Sequence, residues 1–112
     1  MSHELVMRGE VAVVHCHGRV VVGQTNDLRD LVQSAIGDNH QVILNMSDVP
    51  LIDSTGLGML AVVCMSARKR GLDVKLVAPS PYVTDVLETT MLGTVFKIYP
   101  TDDAAVAACG HL

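Results

Sequence analysis

Tryptophan is absent from these 112 residues, and the aromatic side chains are Phe96, Tyr82 and Tyr99 alone. Stacking platforms for bases are therefore missing. Eight Lys and Arg against twelve Asp and Glu leave a net charge of −4, which repels phosphate backbones. Both features argue against nucleic acid as a partner. No apolar run approaches the ~20 residues needed to cross a bilayer, and residues 1–10 lack the basic-then-apolar order of a secretory signal. The expectation is a cytoplasmic chain with no membrane partner. Cysteine is scarce as well: Cys16, Cys64 and Cys109 are odd in number and show no CxxC spacing, so neither a disulfide framework nor a zinc knuckle follows. They read as small core residues.

What the chain does have is aliphatic bulk, with a hydrophobic share of 49%. A chain of this length buries roughly two-thirds of its unfolded surface and holds a core without staples. No repeat or Pro/Gly/Ser linker divides it, so one domain is expected over 1–112, with a core of about 4–109.

The turn signals alternate strands with helices. Residues 4–8 and 11–17 are β-rich and flank Gly9-Glu10, a glycine-first pair suited to a type II′ hairpin. Leu28, Leu31, Val32, Ala35 and Ile36 repeat at helical spacing, with Thr25 or Asn26 as cap and Gly37 just past the end. Residues 41–46 suit a strand buried on both faces. Residues 56–70 are apolar almost all round, end in three cations and stop at Gly71, which predicts a largely buried helix. Residues 73–78 read as a strand, Ser80-Pro81 as the start of a helix over 81–89, residues 95–99 as a strand, and Thr101 as the cap of a last helix. Strands joined by helices must be parallel. The fold class is α/β: a mixed, mostly parallel sheet of four to five strands with helices packed on it.

One loop carries the candidate chemistry. Asp53-Ser54-Thr55-Gly56-Leu57-Gly58 places two hydroxyls behind an acid at a helix start, where free N–H groups and the macrodipole favour negative charge. The local pattern alone favours the plain reading, an N-cap in which Asp, Ser or Thr accepts a helix N–H and nothing more. The two glycines cost helix stability and make sense where a backbone or partner approaches closely.

Ile52 to Gly58, preceded by the Val42-Ile43-Leu44-Asn45 strand, resembles the signature of STAS-domain anti-sigma factor antagonists. The likeness continues through Lys69-Arg70-Gly71, Leu76 to Pro81, Val86-Leu87 and Leu92 to Tyr99, and covers about residues 10–108. The resemblance implies no enzymatic activity and no cofactor. It implies phosphorylation at Ser54, the serine directly after the aspartate, with Thr55 the alternative, and a partner surface formed by Asp53, Ser54, Thr55, Gly56, Leu57 and Gly58. The implied partners are an anti-sigma factor that is also a serine kinase, bound by the unphosphorylated form so that a sigma factor is freed, and a PP2C-like phosphatase that restores that form. Family members often carry Gly-Glu-Leu/Ile-Asp after the second strand, whereas this chain has Gly18-Arg19-Val20-Val21. Stressosome and lipid-transport STAS domains are alternatives within the family.

Two further patterns point elsewhere. Gly56-Leu57-Gly58-Met59-Leu60-Ala61 matches G-x-G-x-x-G/A, as in a small nucleotide-dependent enzyme, but stands too far from the preceding strand and lacks the ribose-binding acid after the next one. His15 and His17, with His3 or His40, are a conceivable metal pair without a nearby carboxylate in the sequence. The expectation is no metal.

Overall fold

The structure is a computed structural model describing residues 2–109; Met1 and residues 110–112, which the expected domain span includes, lie outside the described residues. Strands β1 (Ser2–Arg8) and β2 (Val11–His17) form the expected antiparallel hairpin. Gly9 takes φ +63° and Glu10 stays at negative φ, the pattern of a type II′ turn, which glycine enters without a Cβ penalty. Helix α1 (Asn26–Gly37) follows, then β3 (Gln41–Asp48), helix α2 (Ser54–Lys69), β4 (Val74–Val77), helix α3 (Pro81–Thr89), a 3-10 turn at Leu92–Thr94, β5 (Ile98–Tyr99) and helix α4 (Asp102–Cys109). The five strands lie side by side in chain order, with β2 to β5 mutually parallel.

Side-chain alternation in the strands sorts the core into two layers. Ala12, Val14, Val42, Leu44, Val74 and Leu76 face α1, α2 and α3, whereas Val11, Val13, Ile43 and Val77 face α4 through Ala105 and Cys109. The central β3 is covered on both sides, which is why Val42, Ile43 and Leu44 are fully buried and the segment reads as a continuous apolar run. Cys16, Cys64 and Cys109 are buried free thiols. Burial pushes the Cys16 thiol up to about 12 and raises Cys64 and Cys109 too, so all three stay protonated and inert at neutral pH.

Several boundaries differ from the sequence reading. Helix α1 ends through Asn39, not Gly37: Asn39 takes φ +66°, its N–H donates to Ile36 O, and the His40 N–H donates to Ala35 O at 3.0 Å, a Schellman ending with asparagine as the left-handed residue. Thr25 occupies the N-cap position of α1 but its side chain makes no capping bond. Helix α2 starts two residues earlier than expected, at Ser54. The strand expected over 95–99 shrinks to Ile98–Tyr99, because Phe96 turns into the core and the preceding segment winds into a 3-10 turn to deliver it. Ser80 and Thr101 cap as expected, accepting the N–H groups of Val83 and Ala104.

Candidate functional site

The segment 49–53 leaves the carboxyl end of β3 and enters α2 beside a second loop, residues 18–22, that leaves the carboxyl end of β2. Three backbone bonds tie the loops together. The Gly18 N–H donates to Asp48 O at 3.0 Å, the Val20 N–H to Leu51 O at 3.1 Å, and the Asp53 N–H to Val20 O at 3.3 Å. Val20 and Ile52 make an isolated parallel bridge, and both are buried.

Asp53 locks the junction. In an extended conformation at the N-cap of α2, it accepts the Gly56 N–H on Oδ1 and the Val22 N–H on Oδ2, each at 2.9 Å. One carboxylate thus caps the helix and fastens the neighbouring loop. The Val22 N–H, followed by that of Gly56, stabilises the charged form and lowers the Asp53 pKa below the usual carboxylate value. A depressed carboxylate pKa contributes stability that is present above the unfolded-state value and lost as pH falls through the folded-state value. Asp53→Asn keeps one acceptor oxygen and turns an NH2 toward a donor N–H. The expected outcome is a lower thermal midpoint for Asp53→Asn at neutral pH, with the gap to wild type closing below pH ~4 as Asp53 itself protonates. Melting both proteins across that range checks it, and a gap that persists unchanged in acid refutes the role.

Gly56 explains the first of the two glycines. A Cβ there would stand 2.2 Å from Val20 O and 2.7 Å from Ile52 Cγ1, so only glycine lets the two loops close on the first turn of α2. Gly58 differs: a Cβ there meets nothing within 4 Å, and the position is exposed. Of the six residues expected on the partner surface, Gly56 and Leu57 are buried and act inside the fold, while Ser54, Thr55 and Gly58 are exposed and Asp53 is half-buried. Ser54 is the first residue of α2, and among the described residues its hydroxyl has no hydrogen-bond partner. The cap is Asp53, which leaves Ser54 Oγ free.

The face of α2 that carries Ser54 includes a feature that the sequence reading missed. Helix α2 buries Leu57, Leu60, Val63, Cys64 and Ala67, yet leaves Val62 and Met65 exposed. With Ser54 and Gly58 they follow one face of the helix at three- and four-residue steps. Val22, 69% exposed, stands at the other side of Asp53. The helix, apolar almost all round, is largely buried as expected, and the signal for this exposed stripe was the excess of apolar residues over what one sheet face can cover. Arg19 is exposed and Val21 half-buried beside it.

The rival patterns resolve physically. Gly56 lies within the first turn of α2, and the space a pyrophosphate would need against it holds the Val20 carbonyl, so the glycine motif serves packing and not a dinucleotide. His15 Nε2 pairs with Asp102 at 2.8 Å and His17 Nδ1 with Asp48 at 3.0 Å. A register shift in the β2–β3 ladder separates the two histidines, and no cluster of three metal-ligating side chains is present among the described residues.

A five-stranded mixed sheet with a helix start clamped between two loops defines a small α/β domain. The family model of the STAS domain matches residues 3–105, and the chain belongs to that family. It is similar to the anti-sigma-F factor antagonist RsfA of Mycobacterium tuberculosis, with 23% identity over 99 residues that span 86% of this chain and 77% of the relative. The crystal structure of tm1081 from Thermotoga maritima shares the fold at TM-score 0.88 and 24% identity, over 95% of this chain and 92% of that one. The Bacillus cell fate determinant SpoIIAA, solved in its phosphorylated form, shares it at TM-score 0.76 and 21% identity, over 96% and 99% of the two chains. No helix of the described residues is long and apolar enough to cross a membrane.

Proposed function

We propose that this protein is an anti-sigma factor antagonist of the cytoplasm whose partner binding is switched by phosphorylation of Ser54. In the unphosphorylated state it binds an anti-sigma factor that is also a serine kinase, and a sigma factor is released; a PP2C-like phosphatase later removes the phosphate. The observation that carries this reading is the free Ser54 hydroxyl at the head of α2, on the same helix face as exposed Gly58, Val62 and Met65. The antagonist named among its relatives, and a fold neighbour solved in a phosphorylated form, support the same reading.

The chemistry of the switch follows from the position. A phosphoserine carries about −1.5 to −2 charges at neutral pH. At the first residue of α2 the macrodipole and the free N–H groups offset its repulsion from Asp53, so the fold accepts the phosphate. A partner pressed onto the apolar stripe would have to desolvate a dianion, and it lets go.

Incubation with the cognate kinase and ATP, followed by tandem mass spectrometry, is expected to place the phosphate on Ser54. Two other candidate hydroxyls are engaged: Ser66 Oγ accepts from Gln33 Nε2 at 3.3 Å and Ser80 Oγ caps α3. Thr55 is exposed as well. A phosphate found only on Thr55, Ser66 or Ser80 overturns the assignment.

A further inference from the structure

Strand β1 is seven residues long, forms one edge of the sheet and, among the described residues, pairs with β2 alone. Its centre is apolar and open: Leu5 is 40%, Val6 55% and Met7 42% exposed. Natural edge strands are usually guarded by a charge, a proline or a bulge in mid-strand, because unpaired backbone groups recruit another strand. Here the charges, Glu4 and Arg8, flank the apolar centre instead of interrupting it.

The register of the hairpin determines which backbone groups are free. Arg8 and Val11 flank the two-residue turn and so form a hydrogen-bonded pair, and the pattern alternates from there. Val6 and Glu4, opposite Val13 and His15, bond to β2 like Arg8. His3, Leu5 and Met7 turn their N–H and C=O groups outward.

We propose that β1 is the interface of a homodimer, in which two copies pair antiparallel through this edge about a two-fold axis at Val6. In this register Leu5 exchanges its outward hydrogen bonds with Met7 of the second copy, Val6 faces Val6, and Glu4 faces Arg8 at both ends. Other centres fail. An axis at Leu5 places Glu4 opposite Val6 and leaves the charges unmatched, and an axis at Met7 places Glu4 opposite Glu10. An axis between Leu5 and Val6 sets outward-bonding residues against inward-bonding ones. Arg8 already holds Asp103 at 2.7 Å on the surface, and its remaining donors are free to take a second carboxylate. The occupant is thus a second copy of this chain, selected by charge and apolar complementarity along one strand. The two sheets become one of ten strands. A strand pair this short gives a small interface, hence a weak and concentration-dependent dimer.

Sedimentation equilibrium on the full chain is expected to show a mass rising toward twice that of the monomer with concentration. Val6→Lys sets two ammonium groups against each other on the axis and is expected to abolish the dimer, with the thermal midpoint confirming that the monomer is folded. Val6→Cys tests the register: non-hydrogen-bonded residues facing each other hold their Cβ atoms about 4.5–5.5 Å apart, within small adjustment of a disulfide. Copper-phenanthroline with oxygen is expected to cross-link Val6→Cys, and to leave Leu5→Cys, which faces Met7, largely uncrosslinked. The buried native thiols give no background. A wild type that stays monomeric up to about 1 mM, where even weak pairs with affinities of −4 kcal/mol assemble, overturns the dimer. So does a Val6→Lys variant that dimerises like wild type, and cross-linking of Leu5→Cys as readily as Val6→Cys overturns the register.

Discussion

Gly56→Ala is expected to destabilise the protein by about 1–3 kcal/mol, while Gly58→Ala, two residues along the same helix, is expected to stabilise it by about 0.5–1 kcal/mol. The opposite signs follow from what a methyl group meets. At position 56 it runs into the Val20 carbonyl at 2.2 Å and Ile52 Cγ1 at 2.7 Å. Backbone cannot swing aside as a flexible side chain does, so either α2 or the 18–22 loop must move, and the bonds that join Val20 to Leu51 and Asp53 stretch with it. At position 58 the methyl group enters open space in a helical conformation, where alanine reduces the entropy of the unfolded chain and costs nothing in the folded one. Thermal unfolding of the two variants and wild type measures both signs. A Gly56→Ala variant as stable as wild type would mean that the two loops are held loosely, and Asp53 would then be the only clamp. If the anti-sigma factor packs closely over exposed Gly58, the more stable Gly58→Ala variant binds it less well, which separates the structural glycine from the recognition glycine.

Ser54→Asp is expected to weaken binding to the proposed anti-sigma factor kinase by more than about tenfold, or ~1.4 kcal/mol, with its thermal midpoint close to that of wild type. Stability is spared because Asp53, and not Ser54, caps α2; a carboxylate in the first turn gains from the dipole about what it loses to its acidic neighbour. Binding is not spared, since a charge placed in a desolvated contact keeps its water or leaves the contact. Ser54→Ala removes a hydroxyl with no hydrogen-bond partner among the described residues and is expected to bind as wild type while refusing phosphate. Calorimetric titration of the partner into wild type, Ser54→Ala and Ser54→Asp, paired with melting curves, reads both properties. A carboxylate carries less charge than a phosphate, so the stoichiometrically phosphorylated protein is titrated beside them. Should both Ser54→Asp and the phosphorylated protein bind as tightly as wild type, the switch is not at Ser54.

Local chemistry was legible and distant contacts were not. The Gly9 turn, the Ser80 and Thr101 caps and the order of strands and helices each depend on residues within a few positions of one another, and the sequence displays them. The end of α1 was misplaced by two residues because asparagine competes with glycine for the left-handed position, and Gly37 stood nearer. The start of α2 was misplaced by two residues because the apolar run that marks the helix begins at Gly56, whereas the Asp53 cap brings polar Ser54 and Thr55 into the first turn, and the Val20 carbonyl closes on it. That approach joins positions 36 residues apart, counting from 20 to 56, and no spacing within either segment announces it. At 95–99 the alternation suggested five strand residues, yet burial of Phe96 took three of them. The candidate site was found as a motif, but its division of labour was not: Asp53 clamping, Gly56 and Leu57 buried, Ser54 free, Val62 and Met65 exposed.

Because the strands sit across the sheet in the order in which they occur along the chain, the molecule can be assembled as it is translated. Each strand arriving from the ribosome finds its neighbour already in place at the growing edge, and none has to wait for a later segment to be threaded between two earlier ones. Low sequence separation between partners keeps the entropy of each closure small. The two loops that meet around Asp53 belong to β2, β3 and α2, so this junction draws on no residue of the last third of the chain. The residues that follow supply β4, the β5 edge and the covering helix α4, so the later closures extend the sheet without re-ordering the strands that hold the Asp53 junction.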